Sequence, residues 1–266
     1  MLQIKNISKT FNPGTITEKI AITDLSLTLN DGDFVTVIGG NGAGKSTLLN
    51  LIAGVFPVDS GSILLNNENI TNQREHVRAK YLGRVFQDPM QGTAASMQIQ
   101  ENLALAARRG KKRGLNWGIT SKEKEFFKEK LALLDLGLED RLEAKVGLLS
   151  GGQRQALTLL MATLQKPELL LLDEHTAALD PKTAKKVLDL TQHLVEKDNL
   201  TTFMVTHNMK NAIHYGNRLI MMLDGHIVYD VSGEEKKNLQ VADLLKKFQT
   251  VSGDEEPVSD RMLLSN

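Results

Sequence analysis

Hydrophobic positions alternate with polar ones over residues 2–8 and again over 20–29, most clearly at Ile22, Leu25, Leu27 and Leu29. A period of two puts successive side chains on opposite faces, so both segments are expected as half-buried antiparallel strands. Asn12-Pro13-Gly14 marks a loop between them. Asp31-Gly32 then forms a tight turn into Phe34-Val35-Thr36-Val37-Ile38, the short, mainly apolar run of a buried strand. Ser46–Ala53 reads as a helix stopped by Gly54, with Pro57 beyond it. Gly61–Leu65 reads as a further strand that turns at Asn66-Asn67.

The character changes over residues 88–148. Pro89, Gly92 and a polar stretch lead into a helical run, Ile99–Arg109. Thr120-Ser121-Lys122-Glu123 is a capping-box pattern, and Phe127, Leu131, Leu134 and Leu138 follow at helical spacing. A mostly helical subdomain, about 88–165, is therefore expected inside an α/β body. Buried strands return at Leu169–Leu172 and Thr202–Val205, separated by a helical stretch, Lys182–Glu196. Arg218–Leu223 and His226–Tyr229 flank Asp224-Gly225, a hairpin signal. Val241, Leu244, Leu245 and Phe248 fall at i, i+3, i+4, i+7, one face of a short amphipathic helix. Residues 251–266 carry no period and are expected as a mobile polar tail, which leaves one domain over 1–250.

Composition narrows the class. Lys+Arg and Asp+Glu both number 32, so no basic excess argues for nucleic acid. The chain has no cysteine, which removes disulfides, thiolate catalysis and the usual zinc sites, and suits a reducing compartment. No apolar run approaches the roughly 18–20 residues that span a bilayer; the longest, near Ala156–Leu164, is broken by Thr158 and Thr163. The start of the chain alternates at Leu2, Ile4 and Ile7, which reads as a strand and not as a signal peptide. A cytosolic α/β protein is the expectation.

Gly39-Gly40-Asn41-Gly42-Ala43-Gly44-Lys45-Ser46 fits the phosphate-loop pattern and stands between a buried strand and a helix start. Such glycines let backbone N–H groups turn toward phosphates, and the helix N-terminus adds a favourable dipole. Lys45 would reach the β- and γ-phosphates, and the Ser46 hydroxyl would bind Mg²⁺. Leu169-Leu170-Leu171-Leu172-Asp173-Glu174 brings two carboxylates out at the end of a buried strand, where α/β sheets place ligands. Asp173 would hold Mg²⁺ and Glu174 would serve as general base toward an attacking water. Gln87 and His207 are less specific: a lone glutamine is ordinarily a solvated loop residue, and a histidine after a strand is often a hydrogen-bonded structural one.

Leu149-Ser150-Gly151-Gly152-Gln153, about a hundred residues past the phosphate loop, resembles the signature sequence of ABC-type ATPases. Together with Gly39–Ser46, Gln87, Leu169–Glu174, Ala177–Asp180 and His207, in that order and spacing, it makes residues 1–250 similar to an ABC transporter ATPase. The resemblance implies a P-loop core, an antiparallel β subdomain and an inserted helical subdomain. It implies two chains packed head to tail, with each ATP between the phosphate loop of one and Ser150, Gly151, Gly152 and Gln153 of the other. A serine hydroxyl and close backbone donors at a helix start suit an anion. In the family, Gln87 contacts Mg²⁺ and the water, His207 contacts the γ-phosphate, and the Asp180 carboxylate crosses the dimer interface. Thr47 would touch the α-phosphate, and Phe11 resembles the aromatic that stacks on adenine.

The family usually carries Pro-Thr-Ser after the catalytic glutamate, where this chain has His175-Thr176-Ala177; His175 reads as a structural variant that also puts a titratable group beside Glu174. The Asn12–Lys19 loop is long, which bears on where Phe11 sits. Arg108-Arg109-Gly110-Lys111-Lys112-Arg113 packs five cations into six residues. That is either a solvated loop or a contact for anionic headgroups or an acidic partner loop; the nearby Trp117, the sole tryptophan, is either a packing residue or an interfacial anchor. Gly39-Gly40-Asn41-Gly42, Arg84–Pro89, Glu101–Ala106, Glu174–Asp180 and Thr206-His207-Asn208-Met209 resemble a bacterial importer subgroup encoded with a permease and a substrate-binding lipoprotein. Some of its members are associated with uptake of aromatic amino acids. That implies a homodimer at the cytoplasmic face of the membrane, held there by permease subunits and served indirectly by an extracytoplasmic substrate-binding protein. An ATPase for export or lipid extraction shares every motif, and a soluble assembly ATPase is the remaining alternative.

Overall fold

The computed structural model describes residues 1–111 and 118–252. Lys112 and Arg113 of the basic tract, the nearby Trp117, and the tail beyond Ser252 lie outside the described residues. The chain forms two compact units, Met1–Arg78 with Asn199–Asn266, and Ala79–Asp198. The first begins with strands β1 (Leu2–Phe11), β2 (Lys19–Leu29) and β3 (Phe34–Gly39), helix α1 (Lys45–Ala53), strands β4 (Ser60–Leu65) and β5 (Glu68–Asn69), and helix α2 (Glu75–Arg78). The second holds strand β6 (Leu82–Val85), helices α3 (Ile99–Ala107), α4 (Ser121–Ala132) and α5 (Gly151–Thr163), strand β7 (Leu169–Asp173) and helix α6 (Pro181–Asp198). The first unit resumes with β8 (Thr202–Val205), α7 (Met209–His214), β9 (Arg218–Leu223), β10 (His226–Ser232), α8 (Gly233–Lys237) and α9 (Val241–Ser252).

In the first unit the alternating strands form an antiparallel sheet in the order β2-β1-β4-β5. β1 runs past its expected end at residue 8, because the register shifts between Ile4 and Ile7 and between Ile7 and Lys9. Asn6 and Asp24 absorb the irregularity with positive φ and join through a 2.9 Å side-chain bond. Lys9, Thr10 and Phe11 then pair with Ile22, Ile20 and Lys19. β3 is buried along its whole length and lies parallel to β8 on one side and β9 on the other. A strand covered on both faces needs apolar residues throughout, which is why its sequence does not alternate. Its one hydroxyl, Thr36 Oγ1, donates to Ala212 O at 2.9 Å. The amphipathic α9 docks as its spacing predicts, with Leu244 buried beside Ile38, Met209 and Ala212.

Among the described residues Arg78 is the largest fully buried side chain. Its guanidinium donates to Leu51 O and Ile52 O at 2.8 and 2.7 Å, and to Gln73 O and Thr71 O at 2.8 Å each. Those carbonyls include the C-terminal turn of α1, where a cation meets the negative end of the helix dipole. Burial lowers its pKa to about 10, so the group stays charged at neutral pH.

In the second unit, β6 pairs parallel with β7, Leu82 opposite Leu169 and Val85 opposite Leu172. Gly83 and Arg84 interrupt the apolar pattern of β6, so its sequence does not read as a strand. Ile99, Leu103, Phe127, Leu131, Leu157 and Leu160 form a shared core under α3, α4 and α5. α4 opens on the expected capping box of Thr120 and Glu123 but ends at Ala132. Leu134 and Leu138 therefore do not continue it: Asp135 and Gly137 turn the chain with φ of 52° and 65°. Both leucines still reach the same core, so the apolar spacing outlasts the helix.

Candidate functional site

The phosphate loop joins β3 to α1 in the first unit. Gly44 caps α1 with φ of 98°, and a Cβ there would stand 2.7 Å from Ala21 O, so only glycine fits. Leu48 N donates to Gly44 O at 2.8 Å as the first bond of the helical ladder. The N–H groups of the turn before it face out of the helix N-terminus. Lys45 is buried, and its ammonium donates to Gly39 O at 2.8 Å and Gly40 O at 3.1 Å. Ala43 N bonds Gly40 O at 3.2 Å, while Asn41, Gly42 and Ser46 are exposed and Thr47 half-buried. The loop is thus folded on its own backbone around the lysine.

One support of this loop escapes a reading of the sequence. Gly225, in the β9–β10 turn, donates its N–H to Ala43 O at 3.1 Å and receives a bond from Thr23 N at 3.3 Å. Asp-Gly signals a hairpin; it carries no signal for what the turn touches. Phe11 stacks edge-to-face on Phe56 with ring centroids 5.2 Å apart, and Lys9 Nζ stands 5.6 Å from its ring centre. His207 is exposed two residues past the end of β8, and Asn208 caps α7 by accepting from Asn211 N at 3.0 Å.

In the second unit Asp173 ends β7, and its carboxylate lies 3.9 Å from the Arg84 guanidinium, which itself stacks on Phe86 at 4.5 Å. Glu174 follows, half-buried, in the left-handed region with φ of 43°. Gln87 is exposed beyond β6; Gln155 Nε2 holds the neighbouring Phe86 O at 3.3 Å. Asp180 caps α6, accepting from Thr183 N at 3.1 Å ahead of Pro181. Hydrogen bonds from the Thr183 hydroxyl first, and then from its backbone N–H, hold the exposed carboxylate below its ordinary range.

Ser150 and Gln153 form a reciprocal capping box at the start of α5: Ser150 Oγ accepts from Gln153 N at 3.3 Å, and Gln153 Oε1 accepts from Ser150 N at 3.2 Å. The serine hydroxyl keeps its proton for another acceptor. Arg154, which the sequence did not single out, donates to Val146 O, Gly147 O and Leu149 O and so pins the turn leading into Ser150. Gly152 is buried where α5 meets α6, and a methyl there would overlap Thr183 Cγ2. Gly151 has room, with Leu179 Cδ2 3.5 Å from a built Cβ. Gly152→Ala is therefore expected to cost about 1–3 kcal/mol of stability, and Gly151→Ala less than about 1 kcal/mol. Urea unfolding of the two variants reads the difference; equal costs would show that the α5–α6 approach does not select glycine.

His175 is 2 % exposed, its Nε2 3.1 Å from Thr191 Oγ1. Thr191 spends its own hydrogen on Val187 O at 2.8 Å, so Nε2 carries the proton of the shared bond. Burial pushes the imidazole pKa down to about 4, and the ring is neutral. The unfolded chain binds this proton near pH 6.5 and the folded chain only near 4. Stability is therefore complete above about pH 6.5 and falls as the pH drops toward 4, by about 2 kcal/mol between pH 7 and pH 5. Urea titrations should show that slope flattened by that amount in His175→Gln; an unchanged slope would contradict the neutral ring.

The basic tract resolves toward internal use at its first two positions. Arg108 pairs with Glu123 at 2.9 Å and donates to Ala104 O at 3.3 Å. Arg109 donates to Ala162 O at 3.1 Å and Gln165 O at 2.7 Å, and burial lowers its pKa. Two of the five cations are thus staples of the second unit and not a surface for headgroups.

A family model described as "ABC transporter" matches residues 22–177. A tyrosine transport ATP-binding protein of Clostridioides difficile is 49 % identical over 254 residues, covering 94 % of this chain and 99 % of that protein. A spermidine/putrescine import ATP-binding protein of Shigella dysenteriae is 38 % identical over 91 % of this chain, which spans 61 % of that relative's length. Among solved structures, a dimeric post-hydrolysis ATP-binding cassette bound to ADP and Pi superposes with a TM-score of 0.74 at 30 % identity, covering 87 % of this chain and 98 % of the other. The phosphate loop ahead of α1, the acidic end of β7 and the serine-capped start of α5 thus stand in a fold shared with such cassettes. The chain belongs to the ABC transporter family, as an ATP-hydrolysing cassette.

Proposed function

We propose that the chain powers import of an aromatic amino acid, tyrosine foremost, by binding ATP between two head-to-tail copies at the cytoplasmic face of a membrane. The observation that carries this is the 49 % identity to a tyrosine transport ATP-binding protein over nearly the full length of both chains. Among the described residues no helix is long and apolar enough to cross a membrane. The pathway would then come from separate permease subunits, fed by an extracytoplasmic substrate-binding protein.

In this reading the residues divide into two half-sites. Lys45 leaves the carbonyls of Gly39 and Gly40 for the β- and γ-phosphates, and the first-turn N–H groups of α1 take the remaining charge. Phe11 presents a ring to adenine. The Ser150 hydroxyl and the N–H groups of Gly151 and Gly152 approach the γ-phosphate of the nucleotide held by the other copy. Glu174 takes a proton from the attacking water while His207 steadies the departing charge. Ser46, Gln87 and Asp173 offer hydroxyl, amide and carboxylate oxygens, the hard donors that Mg²⁺ prefers. Bound there, the ion would neutralise charge on the phosphates. Closure of two copies around ATP would drive the permease between conformations, and hydrolysis would reopen it.

The test is to tag the chain, solubilise membranes in detergent and identify what co-purifies, then measure labelled tyrosine uptake with and without the gene. A stoichiometric multi-span permease and lost uptake support the importer. A permease with uptake intact turns the reading to export or lipid extraction. Recovery with soluble partners alone turns it to an assembly ATPase.

A further inference from the structure

Nine non-glycine residues among those described have positive φ, and eight of them are asparagine or aspartate. Those two side chains hydrogen-bond locally and tolerate the left-handed region. The ninth is Glu174, whose longer side chain tolerates that region less readily, so its surroundings help to hold it there. One restraint is local: Ala177 N donates to Glu174 O at 2.9 Å, closing a turn. A second is the next side chain. His175 is buried, and its Nε2–H reaches 3.1 Å across to Thr191 Oγ1 on α6. Thr191 is fixed in turn by its bond to Val187 O, inside the same helix. The segment between β7 and α6 is therefore fastened at the residue adjoining Glu174.

We propose that His175 is a positioning residue for Glu174: its bond to Thr191 fixes the backbone that holds the Glu174 carboxylate in its strained orientation. This rests on the reading of Glu174 as the general base. A carboxylate displaced by about 1 Å still permits nucleotide binding but loses alignment with the water, so the effect belongs in kcat and not in KM. Both members of the pair are buried, His175 at 2 % and Thr191 at 0 % exposure. A proline at position 175, the family's usual residue, has no polar atom for Thr191, so the device belongs to chains that pair a histidine with a hydroxyl at these two places.

The experiment measures steady-state hydrolysis of Mg-ATP by the full chain for Thr191→Val, Thr191→Ser and His175→Ala, below the melting temperature of each. Thr191→Val keeps the volume and removes the acceptor; it should lower kcat about tenfold or more with KM within about twofold. Thr191→Ser keeps the hydroxyl and should stay within about twofold of the native kcat. His175→Ala should match Thr191→Val, and serves in its place should that variant not fold. In a crystal structure of either, Glu174 should leave the left-handed region. A lowered melting temperature with kcat unchanged would assign the pair to stability alone and overturn the proposal, as would a rise in KM at constant kcat. Glu174→Gln measured in parallel separates the two levels. Retained turnover there removes the general base itself; lost turnover there with native kcat in Thr191→Val removes only the positioning role.

Discussion

Glu174→Gln should lower steady-state ATP hydrolysis by at least about 100-fold, the usual contribution of a positioned general base. The amide is nearly the same size as the carboxylate and cannot accept the proton, so binding should survive while chemistry stops. Glu174 lies at the end of a strand buried from Leu169 to Leu172, half-exposed and reachable by water. With turnover blocked, ATP and Mg²⁺ should accumulate in the closed arrangement of two chains. Size-exclusion chromatography would then show the variant as a dimer with ATP and a monomer without it. A variant that binds ATP and stays monomeric would leave the shared-site reading without support, because the Ser150 half would then have no nucleotide to complete.

The second large effect is expected at Lys45. Its ammonium is buried against two backbone carbonyls and belongs to the loop before any phosphate arrives. Lys45→Ala should weaken ATP binding by at least about tenfold and reduce hydrolysis by more than about 100-fold, since charge-assisted bonds to transferring phosphate are lost. Folding stability should fall by only about 1–2 kcal/mol, the worth of two hydrogen bonds whose carbonyls become open to water. Fluorescent-nucleotide titration and a melting curve on the same sample separate the two effects. Native affinity in a folded Lys45→Ala chain would remove the loop from the site.

The parts of this molecule that the sequence announces are those where local pattern and fold agree. β3 reads as an apolar run because both its faces are covered, and Gly44 falls in the phosphate-loop pattern at a place where no other residue fits beside Ala21 O. Thr120 announces α4 through a capping box that depends on a neighbour three residues away. What stays illegible is long-range. Arg78 looks like a surface cation at the end of a short helix, yet it closes the C-terminus of α1 from 26 residues away. Arg109 looks like part of a charged loop for the same reason: the carbonyls it satisfies lie 53 and 56 residues further on. Leu134 and Leu138 show the converse, keeping a helical period after the helix has ended, because burial alone repeats it. Glu174 carries no sign of its left-handed backbone, and the partner that steadies its neighbour is 16 residues on.

The phosphate loop is complete in sequence by residue 46, but not in space. The strand before it is flanked by residues 202–205 and 218–223, and Gly225 closes on the loop backbone at Ala43. A nascent chain therefore carries every phosphate-binding residue of that loop long before it carries the walls that shape them. At ordinary rates of synthesis the interval is on the order of ten seconds or more. During it the chain holds a glycine-rich segment that is spelled correctly and cannot yet grip ATP. Nucleotide can reward folding of this first unit only after most of the polypeptide has left the ribosome, so the earliest steps must be driven by the hairpin of β1 and β2, whose partners are close at hand.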